Sequence, residues 1–522
     1  MEATGLSLVT VVLFLPLIGF AIMLFMNERT QAGAIRWTAL GFSVLTFLLS
    51  LGLWALYNPD DPGLQLVQRI NWLPDYGISY YVGVDGLSLL LVILTTFIMP
   101  VAILASFRSH IFEERGREKL YYLFMMLLEW AMIGVFVVQD LVIFYVFWEV
   151  TLVPMYFLIG IWGAEQRIYA AVKFFLYTMA GSILMLLAIL YVGINAGTFA
   201  LPEIIAAIQT GALSFPFDGL FSTQGLLFLG FLIAFAIKVP IWPLHSWLPD
   251  AHVQAPTAGS IILAGVLLKM GTYGIVRFCL PLFPEASVAW APTIATLGVI
   301  GIIYGAWVSY AQRDMKKLVA YSSVSHLGFV VVGIFALNAA GIEGGILQMV
   351  NHGVSTGGLF LIVGMLYERR HTKAMEAFGG VWKALPLFGA VSLVIVLSSM
   401  GLPGLNSFVG EFTILMGTLG SNILGFVFAL FATLGVILAA VYMLYFYQKV
   451  YMGELDKEEI RNLEPLHWSE KAALVPVLIA IFLIGLQPAP FFRSMDASVD
   501  ALVRHVDESV PEVVVGNLQM PE

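Results

Sequence analysis

Fourteen apolar runs, each near the roughly 20 residues needed to cross the hydrocarbon of a bilayer, leave this chain little freedom to be anything but a polytopic membrane protein. They fall near 5–26, 35–57, 84–107, 120–138, 140–161, 168–193, 225–245, 256–280, 289–310, 317–337, 342–366, 384–418, 423–450 and 471–490. Where no water is available, backbone groups must pair within each segment, so the expected fold class is all-α with about 14 transmembrane helices. Composition agrees: 60% of the 522 residues are hydrophobic, 11% are charged, and the mean hydropathy is +0.91. The first run, Leu6 to Met26, has no positive leader and no small-residue cleavage site, and reads as a retained helix.

A formal charge of -9 gives no basic surface of the kind nucleic acid requires, so nucleic-acid binding is excluded as a function. Cys279 is the single cysteine. It can form no internal disulfide and no cysteine-ligated iron-sulfur or zinc site, and the histidines lack the spacing of a metal site. Any redox cofactor must belong to another chain.

The 25 lysines and arginines fix an orientation. With the N-terminus outside, only Arg69, Arg277, Arg493 and Arg504 fall on the outer side, Lys238 and Lys269 fall inside the membrane, and the rest lie in inner loops. The expectation is therefore that both termini are outside.

Two of the runs are interrupted. One breaks at Lys238-Val-Pro240 and the other at Met400-Gly-Leu-Pro403. Each is the fourth helix of a five-helix set, and paired interruptions of this kind point to an inverted-repeat transporter with its ion path at the repeat interface. The expected organisation is an N-terminal three-helix segment, 1–119, then repeats at 120–280 and 289–452. An inner loop and last helix follow at 453–490, then a short acidic outer tail at 491–522. Within the tail, Val499, Leu502, Val503 and Val506 recur at helical spacing and suggest a surface helix.

Ionisable residues inside these runs carry the functional signal. Glu149, Lys238, Lys269, His326 and His352 each lie about 9 to 13 residues from an expected helix end, which at about 1.5 Å per residue puts all five near the midplane. Glu411 follows the second break and ends the series. A cation at the bilayer centre costs roughly 2.5 to 3.5 kcal/mol on insertion scales, so such residues face protein or water and have partners. Carboxylate, amine and imidazole together suit proton exchange. Glu149 is the expected partner of Lys238, and a change in their pairing would act as a switch that passes a proton to Lys269. Ser322, Ser325 and Asn351, beside the histidines, are candidate water holders, and Glu129 and His245 are further auxiliary candidates. Each has a plainer reading: a static ion pair for Glu149 and Lys238, snorkelling for Lys269, backbone hydrogen bonding for His326 and His352, a helix cap for Glu411, a protonated bystander for Glu129, and loop hydrogen bonding for His245 and His252.

Four stretches carry a family resemblance. They are Trp148-Glu-Val-Thr-Leu-Val-Pro154, Lys238-Val-Pro-Ile-Trp-Pro-Leu-His-Ser-Trp-Leu-Pro-Asp-Ala-His252, Ala320-Tyr-Ser-Ser-Val-Ser-His326 and Gly401-Leu-Pro-Gly-Leu-Asn-Ser-Phe-Val-Gly-Glu411. They resemble the subunit M (chain 4) family of respiratory complex I, the proton-pumping NADH:quinone oxidoreductase, over nearly the whole chain. The resemblance implies a non-redox translocase subunit in which Glu149 and Lys238 form the coupling pair, Lys269, His326 and His352 the central relay, and Glu411 the outlet. It implies that NADH, FMN, iron-sulfur clusters and quinone are bound in other subunits, that subunits L and N are direct neighbours, and that the chain lies in a bacterial plasma membrane. The alternative is a subunit of a multisubunit sodium/proton antiporter. Glu411 argues against it, because the related antiporter subunits generally carry lysine there. Glu129 is outside the family pattern.

Overall fold

The computed structural model describes residues 6–510. Two helices, α1 (Leu8–Leu24) and α2 (Glu28–Leu56), lead into an antiparallel hairpin of β1 (Gln65–Leu73) and β2 (Ile78–Val84). Then come α3 (Leu89–Ala105), α4 (Glu118–Val137), α5 (Leu141–Trp162) and α6 (Arg167–Ala196). The first broken element is α7 (Thr223–Lys238) with α8 (Trp247–Gln254), and α9 (Thr257–Leu282), α10 (Pro284–Tyr310), α11 (Met315–Phe335) and α12 (Ala339–Arg370) follow it. The second broken element is α13 (Pro386–Ser399) with α14 (Asn406–Leu419). The described chain closes with α15 (Gly425–Tyr451), α16 (Trp468–Leu486) and α17 (Asp496–Ser509).

Among the described residues, ten helices are long and apolar enough to cross a membrane, and four shorter apolar helices, α1, α3, α7 and α13, accompany them. The chain is thus a mostly helical, multi-pass membrane protein. The hairpin departs from an all-helical chain: between the apolar runs at 35–57 and 84–107, Gln65–Leu73 pairs with Ile78–Val84 across a turn in which Gly77 takes φ 69°. Such a left-handed residue favours glycine. The tail helix is present as α17 and buries Val499, Leu502 and Val506, while positions 511–522 of the expected acidic tail lie outside the described residues.

Helix α7 ends at Lys238 and α13 at Ser399, and the two breaks are built alike. Past Lys238 the amide of Ile241 reaches back five residues to the Ala236 carbonyl (2.8 Å), and past Ser399 the amide of Leu402 does the same to Leu397 (3.1 Å). Pro240 and Pro403 cannot donate, so no regular helix continues through either.

A second correspondence concerns the helix starts. Asp140 caps α5, accepting from the Val142 and Ile143 amides, and Asp314 caps α11, accepting from Lys317. Each aspartate also sits in an isolated bridge with the segment that follows the next helix, Asp140 with Ala200 and Asp314 with Ala374. The bridge bonds Leu141 to Phe199 and Leu201 to Gln139 recur as Met315 to Lys373 and Met375 to Arg313, every residue displaced by 174 positions.

Burial along the helices places the core. The apolar windows of α9 and α12 are 100% buried and that of α11 is 94%, against 33% for α2, α15 and α16. Close backbone approach makes this possible. A Cβ on Gly353 of α12 would come within 2.7 Å of the Gly265 carbonyl of α9, and one on Gly271 of α9 within 2.7 Å of the Phe235 carbonyl of α7. Gly353→Val therefore forces backbone apart rather than a flexible side chain. It is expected to destabilise by about 1–3 kcal/mol, read as a lower thermal transition in detergent, whereas Gly33→Ala on exposed α2, with open space around it, is expected to leave the transition in place.

Candidate functional site

The helices buried from end to end, α9, α11 and α12, carry Lys269, His326 and His352. These groups face protein and not lipid, as charged groups at that depth must. In α9 the lysine sits between two π-helical stretches, Leu263–Leu267 and Ile275–Cys279. Wider turns of this kind leave carbonyls outside the regular ladder. The Ala264 carbonyl is taken up by the Lys269 ammonium.

Lys269 Nζ lies 2.7 Å from His352 Nδ1, and both side chains are fully enclosed. The opposite ring nitrogen of His352 has no protein partner, and its ring centroid is 6.0 Å from that of His326. His326 in turn places Nδ1 2.9 Å from Glu411 Oε1 and Nε2 3.0 Å from the Tyr442 hydroxyl. Glu411 also accepts from Gln348 Nε2 (3.0 Å), and its second oxygen sits where a Cβ on Gly401 would come within 2.7 Å of it. Glycine, at φ 78°, keeps that space open in the second break. Two bonded pairs, Lys269 with His352 and His326 with Glu411, thus adjoin through their imidazole rings.

The first part of the expected series is arranged differently. Lys238 is fully buried at the end of α7, but its ammonium makes no ion pair with Glu149. It lies 5.1 Å above the Trp148 ring, 5.7 Å above that of Phe174, and 3.5 Å from the Thr151 hydroxyl. Aromatic faces attract a desolvated cation by up to about 2 kcal/mol, so the lysine is held by rings while Glu149, one residue from Trp148, stays within electrostatic range. Trp148 is itself pinned by its indole N–H to Ser182 Oγ (3.0 Å). Glu149 Oε1 has no hydrogen-bond partner.

The auxiliary candidates divide. Asn351 donates to the Asn406 carbonyl (2.8 Å) across the second break, and Ser322 and Ser325 donate to the backbone of Val319 and Ile302. None of the three reaches a histidine directly. His245 packs edge-on against Tyr304 and Tyr321. Glu129 is fully buried in α4 with Ser43 Oγ 3.5 Å from its Oε1 and nothing on Oε2. Tyr442, Gln348 and Asn406 were missed. Gln348 carried a signal, standing four residues before His352 on one face of α12; Tyr442, one aromatic among many, carried none.

Fold and site together define a multi-pass helical membrane protein with two broken helices and a series of buried ionisable side chains, the architecture of the antiporter-like membrane subunits. Residues 138–439 match the family described as NADH:quinone oxidoreductase/Mrp antiporter, TM, and residues 11–135 match NADH-ubiquinone oxidoreductase chain 4, amino terminus. The chain belongs to the NADH-quinone oxidoreductase subunit M (chain 4) family. It is 44% identical to the subunit M of Rhodobacter capsulatus over 98% of this chain and 100% of that one. It is 43% identical to chain 4 of Marchantia polymorpha over 94% and 96%. Among solved structures, a chain of respiratory complex I from Thermus thermophilus with bound NADH superposes with a TM-score of 0.84 at 30% identity, over 95% of this chain and 99% of that one. A chain of the archaeal membrane-bound sulfane sulfur reductase shares the fold, with a TM-score of 0.81 at 22% identity, over 92% and 76%.

Proposed function

We propose that this chain is a proton-translocating membrane subunit of an NADH:quinone oxidoreductase, binding no redox cofactor and working beside other membrane subunits, with subunits L and N as its neighbours. The single observation that carries the reading is the bonded series Lys269–His352 and His326–Glu411, all four side chains being buried. In the proposed cycle Glu149 approaches or leaves Lys238, which changes whether that lysine holds its proton. Protons then move from Lys269 to His352, across one water to His326, and out by Glu411. Moving one charge against 100 mV requires about 2.3 kcal/mol, within what re-pairing two poorly solvated charges supplies.

We read the four shorter apolar helices as completing fourteen spans, with both termini outside in a bacterial plasma membrane. The recurrence of the Asp140 and Asp314 bridges at a displacement of 174 supports two five-helix repeats. Five spans separate the two aspartates in this count, so the second copy is inverted.

The test uses inverted membrane vesicles from wild-type and Glu149→Gln cells. NADH-driven proton uptake is expected to fall several-fold in the variant, with quinone turnover reduced or uncoupled. Normal uptake and turnover with loss of sodium-dependent proton exchange would replace this reading by that of an antiporter subunit.

A further inference from the structure

A cavity of about 280 Å³ opens at the face formed by the segments after α3, α5 and α12. Its wall carries His110, Glu114, Lys316, Glu368, His371 and Lys373, a concentration of titratable groups outside the buried series. We propose that this cavity is the mouth through which protons enter the chain, and that His252 passes them from the cavity to Lys269. The proposal rests on the translocation reading above.

The mouth is built around one pair. His110 Nδ1 lies 2.5 Å from Glu368 Oε2, whose carboxyl also accepts from the His110 amide (3.0 Å) and the Ser109 hydroxyl (2.7 Å). The His371 ring stands edge-on to His110 at 4.6 Å, Tyr367 packs against both, and Glu114 reaches to within 3.8 Å of His110 Nε2. The hydrogen bond to Glu368, helped by the charges of Glu114 and Glu113, raises the His110 pKa above its ordinary value against the opposing effect of burial. A group raised in the folded protein keeps its proton, and the pair, below the ordinary imidazole range and loses both as pH rises through the raised value. His110 therefore stays loaded at pH values where a free histidine would be empty.

The floor of the cavity is Lys316. Counted from sequence as a loop charge, it is only 2% exposed, and its ammonium donates to the Ala255 carbonyl (2.8 Å) at the end of α8. Three residues back in α8 is His252, fully buried and stacked on Phe360 at 4.3 Å, with neither ring nitrogen hydrogen-bonded in the protein. A neutral imidazole has one donor and one acceptor, and leaving both unpaired in the interior is unfavourable unless water or a proton visits them. His252 lies in the electrostatic range of both Lys316 and Lys269, and His352 lies within range of His252. The balanced step is a relay: the Lys316 ammonium gives a proton through water to the free nitrogen of His252, the other N–H goes to the neutral amine of Lys269, and cavity water reloads Lys316. No charge accumulates on the ring.

The experiment compares His252→Phe with Glu149→Gln in inverted vesicles of the whole complex. Phenylalanine keeps the stack on Phe360 and carries no proton. Protons taken up per NADH are expected to fall in His252→Phe to the Glu149→Gln level, with assembly on native gels unchanged. Wild-type uptake in His252→Phe beside a defective Glu149→Gln overturns this entry route and leaves the translocation reading standing; wild-type uptake in both removes that reading. Should His252→Phe fail to assemble, His110→Gln decides. Its alkaline limb of uptake against pH is expected to move to lower pH, and an unmoved limb overturns the proposal.

Discussion

Replacing Lys269 by methionine is expected to lower NADH-driven proton uptake through this chain by more than tenfold, and replacing it by arginine is expected to be as damaging. The argument turns on what each substitution leaves in a fully buried site. Methionine fills similar volume but gives His352 Nδ1 and the Ala264 carbonyl no partner. Arginine restores a cation and hydrogen-bond donors, but a guanidinium does not release its proton in proteins. If Lys269 served only to hold α9 and α12 together by charge, arginine would rescue much of the function. If it exchanges protons with His352, arginine is dead. Uptake and quinone turnover measured together in inverted vesicles decide, and arginine-supported pumping near wild-type would remove Lys269 from the path.

That these residues would be enclosed among the helices was legible in the sequence, because distance from a helix end is a one-dimensional property. Counting residues from helix ends put Glu149, Lys238, Lys269, His326 and His352 near one level, and prolines after Lys238 and Met400 located both breaks. Pairing is three-dimensional and was not legible. No count along the chain distinguishes Lys238 facing Glu149 from Lys238 lying over Trp148 and Phe174, since Trp148 and Glu149 are adjacent. Tyr442 reaches His326 because α15 packs against the neighbouring helices, a fact that apolar periodicity does not contain. Lys316 was misplaced for a related reason. A lysine at the start of a helix normally extends into water, but here the ends of α8 and α12 close over it. The hairpin at 65–84 was passed over because a segment between two apolar runs reads as loop, although its pairing also reaches the start of α5, where the Gln139 amide donates to the Tyr81 carbonyl (2.8 Å).

The largest stability effect is expected at a different buried charge, Arg277. Its guanidinium forms two parallel bonds with Asp85, at 2.7 and 2.5 Å, and both side chains are 8% exposed. Arg277 Nε also donates to the Tyr273 hydroxyl (3.0 Å), which donates to the Phe136 carbonyl (3.0 Å), and Asp85 accepts from the Leu87 and Ser88 amides. This network ties the start of α3 to α9 and α4, so it fixes the helix that carries Lys269. Removing one partner strands the other: Asp85→Asn is expected to destabilise by about 3–5 kcal/mol, as for other broken buried pairs, and Arg277→Leu by a similar amount. Replacing both, as Asp85→Leu with Arg277→Leu, is expected to recover most of that loss, because the penalty lies in the uncompensated charge and not in the absent attraction. Thermal transitions of the solubilised complex, read for both single variants and the double, supply the cycle. A double variant as unstable as the sum of the singles would mean that each residue acts through its own remaining contacts, Asp85 with the Leu87 and Ser88 amides and Arg277 with the Tyr273 hydroxyl, and the ion pair would then be incidental to how α3 and α9 are held.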